Sequence, residues 1–173
     1  MESIARGPAR SGTRPSASRH GADGAQHLTL RLGSEEYAID ILRVQEIRSY
    51  EQPTRIVHAP QYVLGVIDLR GVMVPIIDLR VKLQLAHVDY TEFTVVVVVQ
   101  VRDGLIGLVV DAVCDVVNLG SDAIRPAPQF ESAIMARFMA GLATIGERML
   151  IVIDMDALLS NAEMGLVAEA TRP

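Results

Sequence analysis

The chain has 173 residues, half of them apolar, with a formal net charge of −5 and a single cysteine. These values fit one domain with a sizeable core, and they exclude a disulfide framework, a cysteine-ligated metal site and the strongly basic surface of a typical nucleic-acid binder. No apolar run approaches the ~20 residues that a membrane-spanning helix needs.

The first 26 residues are rich in Gly, Ser, Pro and Arg and poor in large apolar side chains. Such a segment buries too little surface to offset the entropy of ordering, so we predict a disordered tail over residues 1–26. It has no apolar stretch of the kind that a secretory signal contains. Its charged residues leave it near +2, and they are Glu2, Arg6, Arg10, Arg14, Arg19 and Asp23.

The next elements are short. Alternating apolar residues predict a half-buried strand from His27 to Leu32, and Gly33-Ser34 predicts a turn after it. Further on, Ile41, Val44 and Ile47 recur at helical spacing, which predicts one or two helical turns there.

The stretch from Tyr62 to Leu83 predicts a strand, a tight turn at Arg70-Gly71, a second strand and the start of a helix. Glycine suits the turn because it adopts positive φ without a Cβ clash. Pro75 lacks an N–H group for a sheet ladder, so it indicates an edge strand or a bulge.

A shift of 76 residues places a similar pattern on this hairpin. Tyr62 then lies over Phe138, Gly65 over Gly141, and the Ile77-Asp78 pair over a second Ile-Asp pair. The repeat predicts two related β-rich halves.

Between the two hairpins, five consecutive valines from Val95 to Val99 predict a buried strand, and Asp103-Gly104 predicts the turn into its partner. The whole chain contains about nine or ten predicted short strands and few helices. This pattern indicates a β-dominated barrel architecture.

No catalytic constellation is evident. The four histidines form no metal-ligand pair, and they are His20, His27, His58 and His87. Aspartates recur at strand ends, where helix capping and turn formation explain them better than acid–base catalysis. Cys114 lies in an apolar strand pattern and is predicted to be a buried, inert thiol. The sequence therefore favours an interaction protein, with Val44, Glu46 and Arg70 as one candidate rim of a binding surface.

Six segments occur in an order that resembles the CheW-type chemotaxis coupling proteins, and they are EEYAIDILRVQEIR, TRI, GVIDLRGVMVPIIDLR, GLVVDAVCDVV, IRPAP and GERMLIVID. The resemblance implies a mainly β fold of two SH3-like, five-stranded barrel subdomains on a shared core, with a few short helices including a C-terminal one. It places one CheW-like domain at residues 27–170: a first barrel near 27–88, a second near 89–155 and a C-terminal helix near 156–170, with strands exchanged between the barrels as an open alternative.

The resemblance also implies a non-enzymatic, cytoplasmic adaptor without cofactor, metal, nucleic-acid partner or membrane insertion. Its partners would be the regulatory domain of the histidine kinase CheA and the cytoplasmic tip of transmembrane chemoreceptors, and coupler and kinase would form rings beneath the receptor array. An adaptor of another chemosensory pathway, such as surface motility, remains an alternative, and an enzyme or small-ligand barrel is a weaker one.

The family's functional positions carry over by motif. The receptor-binding positions fall on Val44, Glu46, Arg70, Gly107 and Val116, and the kinase-binding or structural turn positions fall on Gly65, Gly71 and Gly141. The resemblance implies an ion pair between Glu46 and Arg70. This chain has Asp68 where the family usually has asparagine, so Asp68 would either compete with Glu46 for Arg70 or replace the amide as a turn acceptor.

Overall fold

The computed structural model describes residues 24–101, 104–126 and 133–159, which form eleven strands and four short helices. The strands are β1 (Ala25–Leu32), β2 (Glu35–Asp40), β3 (Val44–Ser49), β4 (Val63–Leu69), β5 (Val72–Asp78), β6 (Val95–Val101), β7 (Gly104–Val110), β8 (Ala112–Leu119), β9 (Ile124–Arg125), β10 (Met139–Ile145) and β11 (Arg148–Ile153). The helices are α1 (Leu79–Lys82), α2 (Ala133–Phe138), α3 (Met155–Leu158) and a 3-10 helix at Ile41–Arg43.

The strands form two sheets. The six-stranded sheet has the order β8-β1-β2-β11-β10-β9, and the five-stranded sheet has the order β3-β6-β7-β5-β4. The predicted mainly β, two-part fold is confirmed. The six-stranded sheet exceeds the expected five because the two-residue strand β9 pairs with β10.

Each predicted half of the chain contributes strands to both sheets. β1 and β2 join β8–β11 in the six-stranded sheet, whereas β3–β5 join β6 and β7 in the other. The exchange arises because each hairpin takes a parallel partner from a distant part of the chain, β5 with β7 and β11 with β2. Most of the predicted tail and most of the predicted C-terminal helix lie outside the described residues. The described part begins with Gly24 ahead of β1 and ends at Leu159, just after α3.

One apolar core lies between the sheets. Leu30 and Ile39 of the six-stranded sheet and Val97 and Leu108 of the five-stranded sheet are fully buried in the same cluster. Each sheet also has a smaller buried cluster of its own, which includes Val74 in the five-stranded sheet and Leu150 in the six-stranded sheet. The two sheets therefore have separate cores as well as a shared one.

The central hairpin has the predicted elements. Arg70 and Gly71 both have positive φ, 52° and 86°, which is the geometry of a two-residue hairpin turn of the I′ type. The turn therefore follows from local sequence, because Gly71 enters the left-handed region without strain.

Pro75 lies in an internal strand, so the edge-strand alternative is wrong for β5 as a whole. The backbone N–H and C=O of Val66, its partner on β4, both bond to Thr54 at 2.9 Å. The Val66–Pro75 pair thus exchanges no hydrogen bonds, and β7 pairs with β5 only from Ile76 onward. Proline is tolerated because no ladder bond is lost at this position.

The second hairpin repeats the backbone features of the first. A register irregularity precedes Gly65 in β4 and Gly141 in β10. The N–H of Asp78 donates to the carbonyl of Tyr62 at 2.8 Å, and Asp154 donates to Phe138 at 2.9 Å. The predicted sequence repeat is therefore also a structural repeat.

The helical interpretation of the segment from Ile41 to Ile47 is wrong beyond Arg43. Residues from Val44 onward form β3, which pairs with β6 in an antiparallel ladder. The helical spacing did not determine the structure of this segment, because pairing with a distant valine-rich strand outweighed the local pattern.

Candidate functional site

An ion pair joins the tip of the central hairpin to the edge strand β3. The Nη2 atom of Arg70 lies 3.1 Å from Oε2 of Glu46 and donates a hydrogen bond to it. The Arg70 side chain is 74% exposed and that of Glu46 is 25% exposed. The predicted Glu46–Arg70 pair is confirmed, and most of the guanidinium still faces solvent with donors to spare.

Arg48 is a third member of this site that the sequence analysis missed. Its Nη1 atom lies 3.7 Å from Oε1 of Glu46, an oxygen that is buried without a hydrogen bond. Arg48 and Glu46 are two residues apart on one strand and so share a face, which is the signal that would have found it. Glu46 is thus held between two arginines.

Asp68 acts as the turn acceptor rather than as a competitor for Arg70. Its Oδ1 accepts a hydrogen bond from the N–H of Gly71 at 2.7 Å. No ion pair between Asp68 and Arg70 occurs in the described part of the chain. The aspartate therefore does the work of the family's asparagine in the turn.

Exposed apolar side chains lie close in sequence to this pair. Leu42, in the 3-10 helix before β3, is 88% exposed, and Val72, next to the hairpin turn, is 51% exposed. Val44 is half-buried and packs against the shared core. Apolar groups beside an oriented charge pair are typical of protein docking surfaces.

The remaining predicted receptor-binding residues lie in different surroundings. Val116 is on β8 of the six-stranded sheet and is half exposed, and its backbone partner Leu28 belongs to the same core cluster that Val44 contacts. Gly107 is buried in β7, where an added Cβ would lie 2.5 Å from Ile76 Cδ1. Any effect of Gly107 on a docking partner would therefore act through packing.

The three turn or kinase positions have structural reasons to be glycine. Gly71 forms the hairpin turn, as described above. Added Cβ atoms at Gly65 and Gly141 would lie 2.0 Å and 2.5 Å from the backbone carbonyl oxygens of Thr54 and Arg125. These two glycines permit the close approach of a neighbouring strand.

Three of the strand-end aspartates are helix caps, as predicted, whereas Asp111 instead accepts from Arg80 and from the N–H of Gly33. Asp40, Asp78 and Asp154 accept hydrogen bonds at 2.9–3.1 Å from N–H groups two or three residues later. Among the described residues, no group of three or more His, Cys, Asp or Glu side chains is placed to hold a metal ion.

The prediction of a buried thiol at Cys114 is wrong, since this residue is exposed on β8. The edge position and a register irregularity in the β1–β8 pairing turn it outward. Partial burial of the sulfur, together with nearby Glu36, raises the pKa of the thiol. The thiol is therefore less ionised than a free cysteine and is not an activated nucleophile.

A second arginine–carboxylate cluster links three strands of the six-stranded sheet, β2, β8 and β11. Arg148 donates to both carboxylate oxygens of Asp115 at 2.9 and 3.0 Å and to Glu36 at 2.6 Å. The Thr29 hydroxyl donates to Oδ1 of Asp115, and the backbone N–H of Asp115 donates to Oγ1 of Thr29 at 3.0 Å. The hydrogen bonds from Arg148, and then from Thr29, lower the pKa of Asp115 to about 2.

This cluster makes the free energy of unfolding depend on pH in the acid range. A carboxyl whose pKa is lower in the folded state stabilises the fold above its unfolded pKa and loses that contribution as pH falls through the folded value. We therefore expect the melting temperature of the wild type to fall more steeply than that of Asp115→Asn between about pH 4 and pH 2. Calorimetry across this range measures it. Glu51→Gln, at an exposed carboxylate without an ion pair among the described residues, serves as the control, and parallel wild-type and Asp115→Asn profiles would contradict the assignment.

No helix among the described residues is long and apolar enough to cross a membrane. The fold and the site define a mainly β, two-sheet module with an exposed arginine–glutamate pair at one strand edge.

A family model described as "CheW-like domain" matches residues 26–163, and the chain belongs to this family. It is 51% identical over 144 residues to the chemotaxis protein CheW of Klebsiella aerogenes, covering 83% of this chain and 87% of that protein. It is 32% identical to CheW of Bacillus subtilis over 136 residues, covering 79% and 87%. The crystal structure of the scaffolding protein TtCheW from Thermoanaerobacter tengcongensis superposes with a TM-score of 0.73 at 28% identity, covering 79% of this chain and 93% of that one.

Proposed function

We propose that this protein is a non-enzymatic adaptor that couples transmembrane chemoreceptors to the histidine kinase CheA in chemotaxis. The observation that carries the proposal is the exposed Glu46–Arg70 pair, with exposed Leu42 and Val72 close to it in sequence, in a chain of the CheW-like family. The protein works in the cytoplasm, at the inner face of the membrane. It makes no bond and breaks none, and it acts through the two neighbours that it holds together.

The receptor's helical hairpin tip would lie in a groove between the two barrels, with β3 on one wall and β8 on the other. Its apolar side chains would pack against Val44 and Val116, and Arg70 would fix the register of the hairpin with its unused donors. Glu46 supports this role because it orients the exposed guanidinium, so less side-chain entropy is lost when a partner carboxylate or carbonyl binds.

The kinase regulatory domain would dock on a barrel surface that Gly65, Gly71 and Gly141 shape. These residues act by permitting close strand approach and a tight turn, as their geometry supports, and not by direct contact. Alternation of the coupler with the kinase domain would then build rings below the receptor array.

Arg70→Glu tests the receptor part of the proposal. The exposed ion pair contributes about 0–1 kcal/mol to stability, so the circular-dichroism spectrum and melting temperature should stay near those of the wild type. Binding to a receptor cytoplasmic fragment should weaken about 30-fold or more, as for a central charged residue of an interface. Co-sedimentation of the receptor–kinase complex and titration calorimetry measure this.

Arg55→Glu is the matched control, because Arg55 is exposed and makes no ion pair among the described residues. It makes the same charge change in the same sheet region and should bind normally. Wild-type affinity of Arg70→Glu for the receptor fragment would remove Arg70 from the site. Failure of the unmodified protein to bind either a receptor fragment or CheA in separate pull-downs would refute the adaptor function.

A further inference from the structure

The edge strand β3 carries a row of backbone groups that point away from its own sheet. Its register with β6 is regular from Glu46 to Ser49, and beyond it the N–H of Tyr50 donates to the carbonyl of Thr94 at 3.3 Å. In an antiparallel ladder, alternate residues of a strand bond to the same neighbour, so Ile47 and Ser49 direct their N–H and C=O groups away from β6. Among the described strands only β6 pairs with β3, and the outer edge can therefore accept a further strand.

The side chains of β3 form a pattern that is complementary to itself. Glu46 and Arg48 lie on one face of the strand with opposite charges, and Ile47 between them lies on the other face. When two copies of β3 pair antiparallel about a two-fold axis at Ile47, Glu46 of each copy lies directly opposite Arg48 of the other. Both are non-hydrogen-bonded pairs, in which opposing side chains are closest, so the attraction between opposite charges is strongest there.

This axis also satisfies the outward backbone groups. Ile47 exchanges two hydrogen bonds with Ile47 of the second copy, and Ser49 exchanges two with Gln45. An axis at Glu46 or at Arg48 would satisfy the backbone equally well, but it would place two like charges opposite each other. Charged residues commonly protect an edge strand from pairing, and here they disfavour the neighbouring registers while favouring one.

Two further features of the strand fit a second copy. Ile47 is 45% exposed, and the pairing would bury it against its own counterpart at the axis. Glu46 keeps an acceptor for the second copy, because its Oε1 atom has no hydrogen bond among the described residues. A register irregularity between Val44 and Glu46 limits the length of the regular edge, so the association is weak and depends on protein concentration.

We propose that two copies of this chain associate through antiparallel β3–β3 pairing about an axis at Ile47, with Glu46 of each copy on Arg48 of the other. The receptor contact proposed above uses the same strand, so the dimer and the receptor-bound form exclude each other, a consequence that rests on the proposed function. The pairing itself does not rest on it. The experiments below use the protein alone, so their failure is distinguishable from a failure of receptor binding.

Charge reversal with mixing tests the register. Glu46→Arg alone and Arg48→Glu alone each place like charges at both cross-strand pairs, so the dissociation constant from sedimentation equilibrium should rise about tenfold or more. An equimolar mixture of the two variants restores opposite charges at both pairs and should form a heterodimer with near wild-type affinity. Circular dichroism of each variant checks that the fold is retained. A mixture as dissociated as its two components would overturn the proposal, as would a wild type that stays monomeric up to ~1 mM.

Hydrogen exchange of single amides, followed by NMR, locates the interface in the unmodified protein. The N–H of Ile47 should exchange fast in dilute solution and become protected as concentration rises, whereas that of Arg48, which points to β6, should be protected throughout. Ile47→Lys places two ammonium groups at the axis, so the amide at this position should exchange fast at every concentration. Val57→Lys, at another exposed apolar side chain outside β3, is the matched control and should keep the protection of Ile47 at high concentration. Exchange at Ile47 that does not depend on concentration would overturn the proposal, whether it is fast throughout or already slow in dilute solution.

Discussion

Arg80→Met should lower the free energy of unfolding by about 3–5 kcal/mol, the cost of leaving a buried charge without its partner. The Arg80 side chain is fully buried, and so is that of Asp78, which receives two of its hydrogen bonds at 3.0 Å. The Nη1 atom of Arg80 also lies 2.6 Å from Oδ1 of Asp111. Burial alone would lower the pKa of this guanidinium, but the hydrogen bonds to Asp78 and Asp111 raise it, so the group stays charged.

The effect is large because Arg80 connects the two sheets. It follows β5 of the five-stranded sheet, whereas Asp111 stands between β7 and β8, where the chain crosses to the six-stranded sheet. Asp111 also accepts from the N–H of Gly33, in the β1–β2 turn, at 2.6 Å. Tyr90 completes the site, with its ring 4.9 Å from the guanidinium and its hydroxyl donating to Asp78 at 3.0 Å.

Urea unfolding followed by circular dichroism measures this loss. Arg80→Lys keeps the charge but lacks the planar fork, so it should fall between the wild type and Arg80→Met. Arg55→Met is the surface control, at an exposed arginine outside any ion pair of the described residues, and it should change stability by no more than about 0.5 kcal/mol. A loss below 1 kcal/mol for Arg80→Met would show that the buried network contributes little.

Gly65→Ala should destabilise the protein by about 2–5 kcal/mol, through backbone strain and a steric clash together. Gly65 has φ of +151°, and a Cβ there would lie 2.0 Å from the Thr54 carbonyl oxygen. That oxygen accepts a hydrogen bond from Val66, so a shift that relieves the clash breaks a strand contact.

Gly33→Ala separates the two causes. Gly33 also has positive φ, +63°, but an added Cβ would meet no atom within 4 Å. Its expected cost is therefore only about 1–2 kcal/mol from the left-handed backbone. Thermal unfolding of both variants gives the comparison, and equal losses would mean that Thr54 moves aside freely. A Gly65→Ala chain that has lost kinase binding must accordingly be checked for folding before Gly65 is regarded as a contact residue.

Local rules predicted the elements whose cause is local. The turn at Arg70-Gly71 and the capping roles of Asp40, Asp78 and Asp154 each depend on residues within a few positions of one another. The Glu46–Arg70 pair spans 24 residues and came from the family resemblance, because composition and spacing give no distance between an edge strand and a hairpin tip.

Long-range pairing explains the errors. Val44 and Ile47 follow a helical period, yet the valines of β6 draw this segment into a sheet. Cys114 follows a buried-strand pattern, but β8 is an edge strand with a register irregularity, so the side chain is exposed. Arg148 was missed because its carboxylate partners Glu36 and Asp115 are 112 and 33 residues away.

The sequence by itself determined that this is a mainly β protein with a repeated hairpin, a charged N-terminal segment and the ordered motifs of the CheW-like family. Those properties reside in composition, alternation and turn chemistry, which act over a few residues. Only the tertiary structure decided which strands share a sheet, and that Arg80 is buried beside Asp78 and Asp111. These outcomes depend on which distant segments pair and exclude water together, and no local pattern encodes that choice.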